Sequence, residues 1–349
     1  LDSAVRIALR MGLYQLRYLT RIPASAAVNE SVSLVRAARL SSATAFVNAV
    51  LRRAIREAKY DPAAEVSDPL ERSALQTSHP VWLIERWAKA FGIDEAKAFA
   101  AANNAIPPTV FRVVKARADE EEVLAKLRAA GATVTASEIV DAAWRVSGAT
   151  SVLRELSEAG EIYLQDEASQ LVAHMLEVRQ GECVLDLCAA PGGKTTLIAD
   201  RADDKARIIA ADLSMTRLAT VVVTSRLHKL DSVNPILLDA TERLPFEAGS
   251  FDKVLVDAPC SGTGTLRRNP EIRWRLSPTD ITTLAEQQKQ ILSNAMEVLK
   301  PGGRLIYSTC SVEREENEEV IEAHRVVKTK RTWPHREGSD GFFIAVLER

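Results

Sequence analysis

The sequence predicts a multidomain chain: an all-α module first, a small α+β module in the middle, and a C-terminal α/β module built on a parallel sheet. Two observations predict this. Apolar residues recur at the helical period through roughly the first 55 positions, and from about Leu164 onward strand-like and helix-like runs alternate with the regularity of a parallel α/β sheet. A chain of 349 residues is also long enough to bury two or three separate cores.

The elements follow in order. Val5, Leu9, Leu13, Leu16 and Leu19 mark a first helix closed by Pro23; Val28, Val32 and Val35 mark a second, and Phe46, Val47, Val50, Leu51 and Ile55 a third. This helical module is placed at residues 1–60. It starts abruptly at Leu1, and three helices are few for an independent core, so a preceding N-terminal stretch is expected. Asp61-Pro62 and Asp68-Pro69 among polar residues read as a linker over 61–78. Residues 79–163 mix helices (Val81 to Phe91, Glu120 to Ala130) with strand-like runs at Thr109 to Val114 and Ala143 to Val146. In the C-terminal module, 164–349, strands are predicted at Cys183 to Cys188, Arg207 to Leu213, Pro235 to Ala240, Lys253 to Asp257 and Arg304 to Ser308, with a last one over Gly341 to Glu348. Helices are predicted at Gln165 to Glu177, Thr195 to Arg201, Met215 to Leu227, Pro278 to Leu299 and Glu313 to His324.

Composition narrows the function. Apolar residues at 46% and charged residues at 26% are ordinary soluble-globular values, and neither a long apolar run nor a signal peptide is present, so a cytoplasmic protein with no membrane partner is expected. Four cysteines with no CxxC pair argue against a disulfide framework or a zinc site, and five scattered histidines give no metal spacing. The net charge of −2 hides an asymmetry: residues 1–59 hold ten Lys/Arg against three acids, leaving −9 for the rest. A basic module on an acidic body fits a nucleic-acid grip joined to a catalytic domain; an Arg-rich helical surface without function is the plainer alternative.

Residues Val184 to Thr195 form a buried strand, a turn of small residues and a helix start, which lets backbone approach a ligand and offers free N–H groups. A phosphate-binding loop of the G-x-x-x-x-G-K-[ST] type is the rival reading, but Cys188 stands where its first Gly belongs. Asp212, Asp239 and Asp257 end successive strands, and an acid about 25 residues after such a turn is placed to bind ribose hydroxyls. Singly, each Asp is more often a helix cap or a loop residue; together they favour an adenosine ligand without polyphosphate.

Cys260 and Cys310 each follow the end of a strand, in Asp257-Ala258-Pro259-Cys260-Ser261-Gly262-Thr263-Gly264 and Tyr307-Ser308-Thr309-Cys310-Ser311. Cys183, inside a strand, reads as core, and Cys188 as part of the turn. Two thiols at a cofactor crevice suit a substrate that needs a thiolate. Carbon 5 of cytosine becomes nucleophilic only after a thiolate adds to carbon 6, and the ring nitrogen must then gain a hydrogen bond or proton, for which Asp257 is apt if its pKa is raised. Which cysteine attacks stays open at this point.

CAAPGGKT, DAPCSGTG and YSTCS, in this order, resemble the RsmB (Fmu, Sun) branch of the RNA m5C methyltransferases. The resemblance implies a NusB-type helical RNA-binding domain, a small middle domain and a Rossmann-like seven-stranded methyltransferase domain. It implies S-adenosylmethionine as cofactor, with contacts at Cys188, Ala189, Ala190, Pro191, Gly192, Gly193, Lys194, Asp212, Asp239 and Asp257. It further implies Cys310 as nucleophile and Cys260 as the residue assisting product release, with ribosomal RNA, and 16S rRNA in particular, as substrate. Against the family pattern, residues 1–59 look truncated and 322–341 look short.

Arg267, Arg268, Arg273, Trp274 and Arg275 follow the DAPC segment and are expected to clamp phosphates and stack on an unpaired or flipped-out base; a solvated loop with a buried Trp is the plainer alternative. Arg325 to Arg336 with Trp333 is a weaker second basic stretch. A monomer without metal is expected. Transfer RNA as substrate, and an inactive RNA-binding protein on a methyltransferase-like body, are the competing functions.

Overall fold

A computed structural model describes residues 1–57 and 61–349. The expected boundary at residue 60 and Lys59, one of the ten basic residues, lie outside the described residues. The chain divides into two compact units, Leu1–Ser67 and Asp68–Arg349.

The first unit consists of α1 (Ser3–Tyr18), α2 (Ala24–Ala37) and α3 (Thr44–Arg56). Asp2 caps α1 by accepting from the Ala4 N–H, and Pro23 stands immediately before α2. Val5, Leu9, Val28, Val35, Val47 and Leu51, all from the predicted stripes, form its core. The nine arginines counted from the sequence are all exposed, so this unit keeps a basic surface.

The second unit opens with α4 (Pro69–Thr77), α5 (Val81–Phe91) and α6 (Ile93–Ala102). Helix α4 occupies half of the stretch read as a linker: Asp68 accepts from Leu70 and Glu71 N–H, Pro69 needs no donor in the first turn, and Ala74 is buried. These helices bury Leu83, Ile84, Trp87 and Phe99 against Leu266, Val312 and Trp333 of the C-terminal module rather than against the middle sheet. That sheet has the order β2-β3-β1-β4, all antiparallel, from β1 (Thr109–Val113), β2 (Thr133–Ala136), β3 (Ala143–Ser147) and β4 (Ile162–Leu164), backed by α7 (Glu120–Ala129) and α8 (Thr150–Glu158). Strands β2 and β4 are too short to have shown a period of two.

The C-terminal module runs α9 (Glu167–Met175), β5 (Cys183–Asp186), α10 (Gly193–Arg201), β6 (Arg207–Asp212), α11 (Met215–Leu227), β7 (Val233–Leu237), β8 (Phe251–Asp257), α12 (Ile272–Arg275), α13 (Pro278–Val298), β9 (Leu299–Thr309), α14 (Glu318–Ile321), β10 (Val326–Thr332) and β11 (Phe342–Glu348). Its seven-stranded sheet has the order β10-β11-β9-β8-β5-β6-β7, with β9 to β7 parallel and β11 and β10 antiparallel. Near-continuous apolar runs such as Val254, Leu255 and Val256 are buried on both faces, as a covered parallel sheet requires. Pro235 is tolerated because β7 is an edge strand.

Two predicted segments differ. The helix expected over Glu313 to His324 shrinks to α14, because Glu313, Glu316 and Asn317 turn inward to hydrogen-bond buried partners instead of lining a helical face. The second basic stretch is mostly β10, whose Arg331 pairs with Glu318 while Trp333 is buried among aromatic rings, so it forms a sheet edge and not a base-stacking loop.

Candidate active site

The C-terminal ends of β5, β6, β8 and β9 meet at one crevice, the place where doubly wound sheets receive ligands. After β5 the chain makes the Cys188 to Gly192 turn, with a cis Ala190–Pro191 bond. Gly192 has φ +104°, and a Cβ there would stand 3.1 Å from the Val221 backbone, so a side chain would be both strained and crowded. Helix α10 then starts at Gly193 and points Lys194 back across the crevice. Its Nζ meets Asp257 Oδ2 at 2.7 Å, and the Ser308 hydroxyl donates to Asp257 Oδ1 at 2.7 Å. Burial opposes the Lys194 charge, but Asp257 outweighs it and holds the ammonium pKa above its usual value.

The cavity here is lined by Tyr163, Gln165, Asp186, Cys188 to Pro191, Gly193, Lys194 and Asp257. Tyr163 and Gln165 come from β4 and the residues after it, so the middle sheet closes one wall. Arg112 on β1 fastens that wall: it is buried, donates to Thr196 Oγ1 at 2.9 Å and lies 5.3 Å from the Tyr163 ring centre. Asp186 is a buried carboxyl group of the lining. Its Oδ2 accepts from Thr195, its Oδ1 is buried with no partner, and burial lifts its pKa to about 7.

The structure brings Cys188 to Lys194 and Asp257 together as predicted, but sets two of the acids apart. Asp212 is buried and accepts from Ala190 and Ser214 N–H, so it braces the turn. Asp239 accepts from the Thr241 N–H and hydroxyl, which lowers its pKa. Neither lines the cavity.

The two thiols converge. Cys260 Sγ and Cys310 Sγ are 3.3 Å apart, both partly accessible and both free. Their loops are joined by a backbone bond, Gly264 N–H to Cys310 O at 2.9 Å, and the Gly264 carbonyl accepts in turn from the Gly341 N–H at 2.8 Å. They are also joined by Glu316, a buried carboxylate that accepts from the Ser261 N–H and from the hydroxyls of Ser261 and Ser311. The hydrogen bond to Cys310, burial, and the nearby charges of Cys310 and Glu316 hold the Cys260 pKa well above its usual value. Sequence reading missed Glu316, Tyr163, Gln165 and Asp186 as site residues.

Two of the expected RNA contacts are corrected. The Arg267 side chain is enclosed and bound to Asp340 and Asp166, and Arg273 is buried and donates to the carbonyls of Thr77, Ser78 and Asn103, so neither guanidinium is free to clamp phosphates. Arg268 is bound to the same two carboxylates as Arg267 but is an exposed residue. Trp274 and Arg275 are exposed on α12.

Comparison with known proteins bears on this architecture. Family models match three segments: "16S rRNA methyltransferase RsmB/F" over 173–325, "Methyltr_RsmF/B-like, ferredoxin-like domain" over 79–153, and "NusB family" over 1–56. The "Probable ribosomal RNA small subunit methyltransferase B" of Bacillus subtilis is 35% identical over 366 residues, covering 98% of this chain and 82% of that protein. The chain belongs to the ribosomal RNA small subunit methyltransferase B family. Its counterpart in Pseudomonas putida is 39% identical over 325 residues, covering 92% of this chain and 73% of that one. Among solved structures, PH0851 superposes with a TM-score of 0.86 at 31% identity over 100% of this chain and 83% of that one. A methyltransferase homologue from Pyrococcus horikoshii superposes at 0.71 with 26% identity, over 81% and 100%.

The expected fold class is therefore the family's, with its helical, ferredoxin-like and methyltransferase parts, and so is the cofactor, S-adenosylmethionine. The cavity fits it. The unpartnered buried acceptors Asp186 Oδ1 and Gln165 Oε1 both belong to the lining residues, and a cationic donor such as the cofactor's amino group would satisfy them. No polyphosphate-binding loop competes, since Cys188 replaces the required Gly.

Proposed function

We propose that this chain methylates carbon 5 of a cytosine in small-subunit (16S) ribosomal RNA, with Cys310 as the covalent nucleophile and Cys260 as the residue that assists release. The observation that carries the reading is the pair of thiols 3.3 Å apart beside the Lys194–Asp257 pair at the cofactor crevice. The ribosomal substrate rests on the names of the relatives, and the exposed arginines of Leu1–Ser67 supply a basic surface for RNA.

The cofactor supplies an electrophilic methyl group. Asp186 and Gln165 would hold its amino-acid end, and the Cys188 to Lys194 backbone, braced by Asp212, would pack against it. The Cys310 thiolate adds to carbon 6, and the C5=C6 electron pair moves into the ring as the ring nitrogen takes a proton from the Lys194–Asp257 pair. Carbon 5 is then an enamine carbon, and the bound cofactor would supply the methyl group it takes, its sulfur keeping the electron pair of the broken sulfur–methyl bond. A base removes the carbon-5 proton, that C–H pair re-forms C5=C6, and Cys310 leaves with the C6–S pair; the ring nitrogen returns its proton to Asp257 or Lys194.

The surroundings favour this ranking of the cysteines. The hydrogen bond to Cys310, burial and the facing Glu316 carboxylate hold the Cys260 thiol above its usual range, which disfavours a thiolate there. The test is transfer of labelled methyl to separate 16S rRNA and tRNA transcripts, followed by nucleoside analysis. Label in 5-methylcytidine of rRNA is expected, abolished by Cys310→Ala. Label confined to tRNA refutes the substrate, none in either pool refutes the activity, and an active Cys310→Ala with a dead Cys260→Ala reverses the roles.

A further inference from the structure

Cys260 and Cys310 leave neighbouring strands, and the residue after each is a serine: Ser261 and Ser311. Glu316 sits between these serines. Its Oε1 accepts from the Ser261 N–H at 2.7 Å and from Gln288 Nε2 at 3.2 Å, while its Oε2 accepts from both serine hydroxyls. The Tyr307 hydroxyl, reaching up from β9, donates to the Glu316 carbonyl at 2.6 Å, and Gln288 of α13 donates also to Pro259 O at 2.8 Å. Every donor on this carboxyl group thus belongs to, or braces, the loops that carry the two thiols.

We propose that Glu316 is a positioning residue of the release step, which by clamping Ser261 to Ser311 holds the Cys260 thiol against the Cys310 sulfur. The proposal rests on the reading of the two cysteines above.

A purely structural tie would not need this group. The serine hydroxyls are already 3.1 Å apart and Thr263 Oγ1 is 3.3 Å from Ser311 Oγ, so hydroxyls alone could join the loops. A buried carboxylate is a costly substitute, and burial raises the Glu316 pKa against the pull of four donors. What it adds is direction. Both hydroxyl hydrogens and one backbone N–H are aimed at a single group, which fixes the two loops in one register. The same negative charge disfavours ionisation of Cys260 and so keeps it a thiol beside the departing Cys310 sulfur.

The experiment compares wild type, Cys260→Ala, Glu316→Ala, Glu316→Gln and the double variant Ser261→Ala/Ser311→Ala on a 16S rRNA transcript. It reads cofactor affinity, multiple-turnover rate, and the fraction of protein held in a denaturation-resistant RNA adduct. Glu316→Ala and the double variant are expected to resemble Cys260→Ala: cofactor affinity within about twofold of wild type, turnover down at least about tenfold, and adduct accumulating, as an active-site misplacement confined to one step should give. Glu316→Gln keeps an acceptor for the Ser261 N–H and lets the hydroxyls reverse, and it is expected to restore most of the turnover. Wild-type turnover in Glu316→Ala overturns the proposal. So does joint loss of cofactor binding and adduct formation, which is the mark of a merely structural residue. Should Glu316→Ala fail to fold, the double variant decides alone: wild-type turnover there overturns the clamp. An absence of adduct in Cys260→Ala is a separate result, which removes the release role of Cys260 itself and the clamp with it.

Discussion

Gly264→Ala tests the geometry that brings the two cysteine loops together. A Cβ on Gly264 would lie 1.9 Å from the Gly341 carbonyl oxygen and 2.9 Å from the Cys310 carbonyl oxygen, both backbone atoms that no side-chain rotation can move. To reach an ordinary carbon–oxygen contact, the two segments must separate by roughly 1.5 Å, given the dense packing of protein interiors. Residue 341 leads into β11, which is paired with β9 over six residues, so the 263–265 turn is the part that gives. Both backbone bonds of Gly264, its N–H to Cys310 O and the Gly341 N–H to its carbonyl, stretch or break. At about 1 kcal/mol each the stability loss is about 2 kcal/mol, which the unit survives with a fall in melting temperature of several degrees. Catalysis suffers more, because a 1 Å error in placing reacting groups costs about 100-fold. The assay is the methylation rate of a 16S rRNA transcript at saturating cofactor, with cofactor affinity measured on the same protein by calorimetry. A rate down about 100-fold with affinity nearly unchanged is the expected outcome; a rate within twofold of wild type would show that the spacing of the loops does not matter.

Three further outcomes follow from the site and its surroundings. Asp186 has a folded pKa raised to about 7, so it is protonated below that pH, and the stability this burial contributes is lost as pH rises from the unfolded value through 7. Since the ionised form is the better acceptor for the cofactor's amino group, affinity should rise about tenfold per pH unit below pH 7 and level off above it; calorimetry across pH 5.5 to 8.5, as rough bounds set by the same titration, checks this, and a flat profile, or one unchanged in Asp186→Asn, contradicts it. With 3.3 Å between Cys260 and Cys310, hydrogen peroxide should take one hydrogen from each thiol and leave a disulfide; peptide mass spectrometry should find that crosslink, with activity lost and then regained on adding dithiothreitol, and retention of full activity by the crosslinked protein would sink the two-thiol reading. Arg267→Ala leaves the buried Asp166 and Asp340 paired with Arg268 and should cost about 2 kcal/mol, the loss of charged hydrogen bonds, while leaving the salt dependence of RNA binding unchanged, whereas Arg275→Ala, on an exposed side chain, should lower the salt slope by about one.

Long runs with a strong period were legible in the sequence: α13, the parallel strands β5, β6 and β8, and the three helices of the first unit all fall where apolar spacing put them. Short elements were not. Strand β4 has three residues and β2 has four exposed or half-exposed ones, so neither offers the alternation that marks a strand. The apparent linker hid α4 because Asp68-Pro69 has two meanings: in a loop it breaks the chain, while at a helix start it supplies both the cap and the first residue.

For the site, local pattern located whatever lies within one strand and its following turn, which is why the turn at Cys188 to Lys194, Asp257 and both cysteines were readable. It misjudged residues whose meaning depends on a distant partner. Arg267 and Arg273 look like phosphate clamps in an Arg-rich segment, yet their acceptors come from positions up to 196 residues away, and a cation surrounded by internal carbonyls and carboxylates is a structural pin. Glu316 shows the same limit from the other side. It lies in the stretch expected to be the helix Glu313 to His324, and the approach of two strand ends turns it into a buried acceptor shared by the residues following Cys260 and Cys310. A charge gains its role from the groups that desolvate it, and those groups are set by topology. The two thiols illustrate the consequence: each resides in its own motif, but the Glu316 carboxylate faces Cys260 while Lys194 lies toward Cys310, a difference in surroundings that comes from the meeting of separate strand ends and not from either motif.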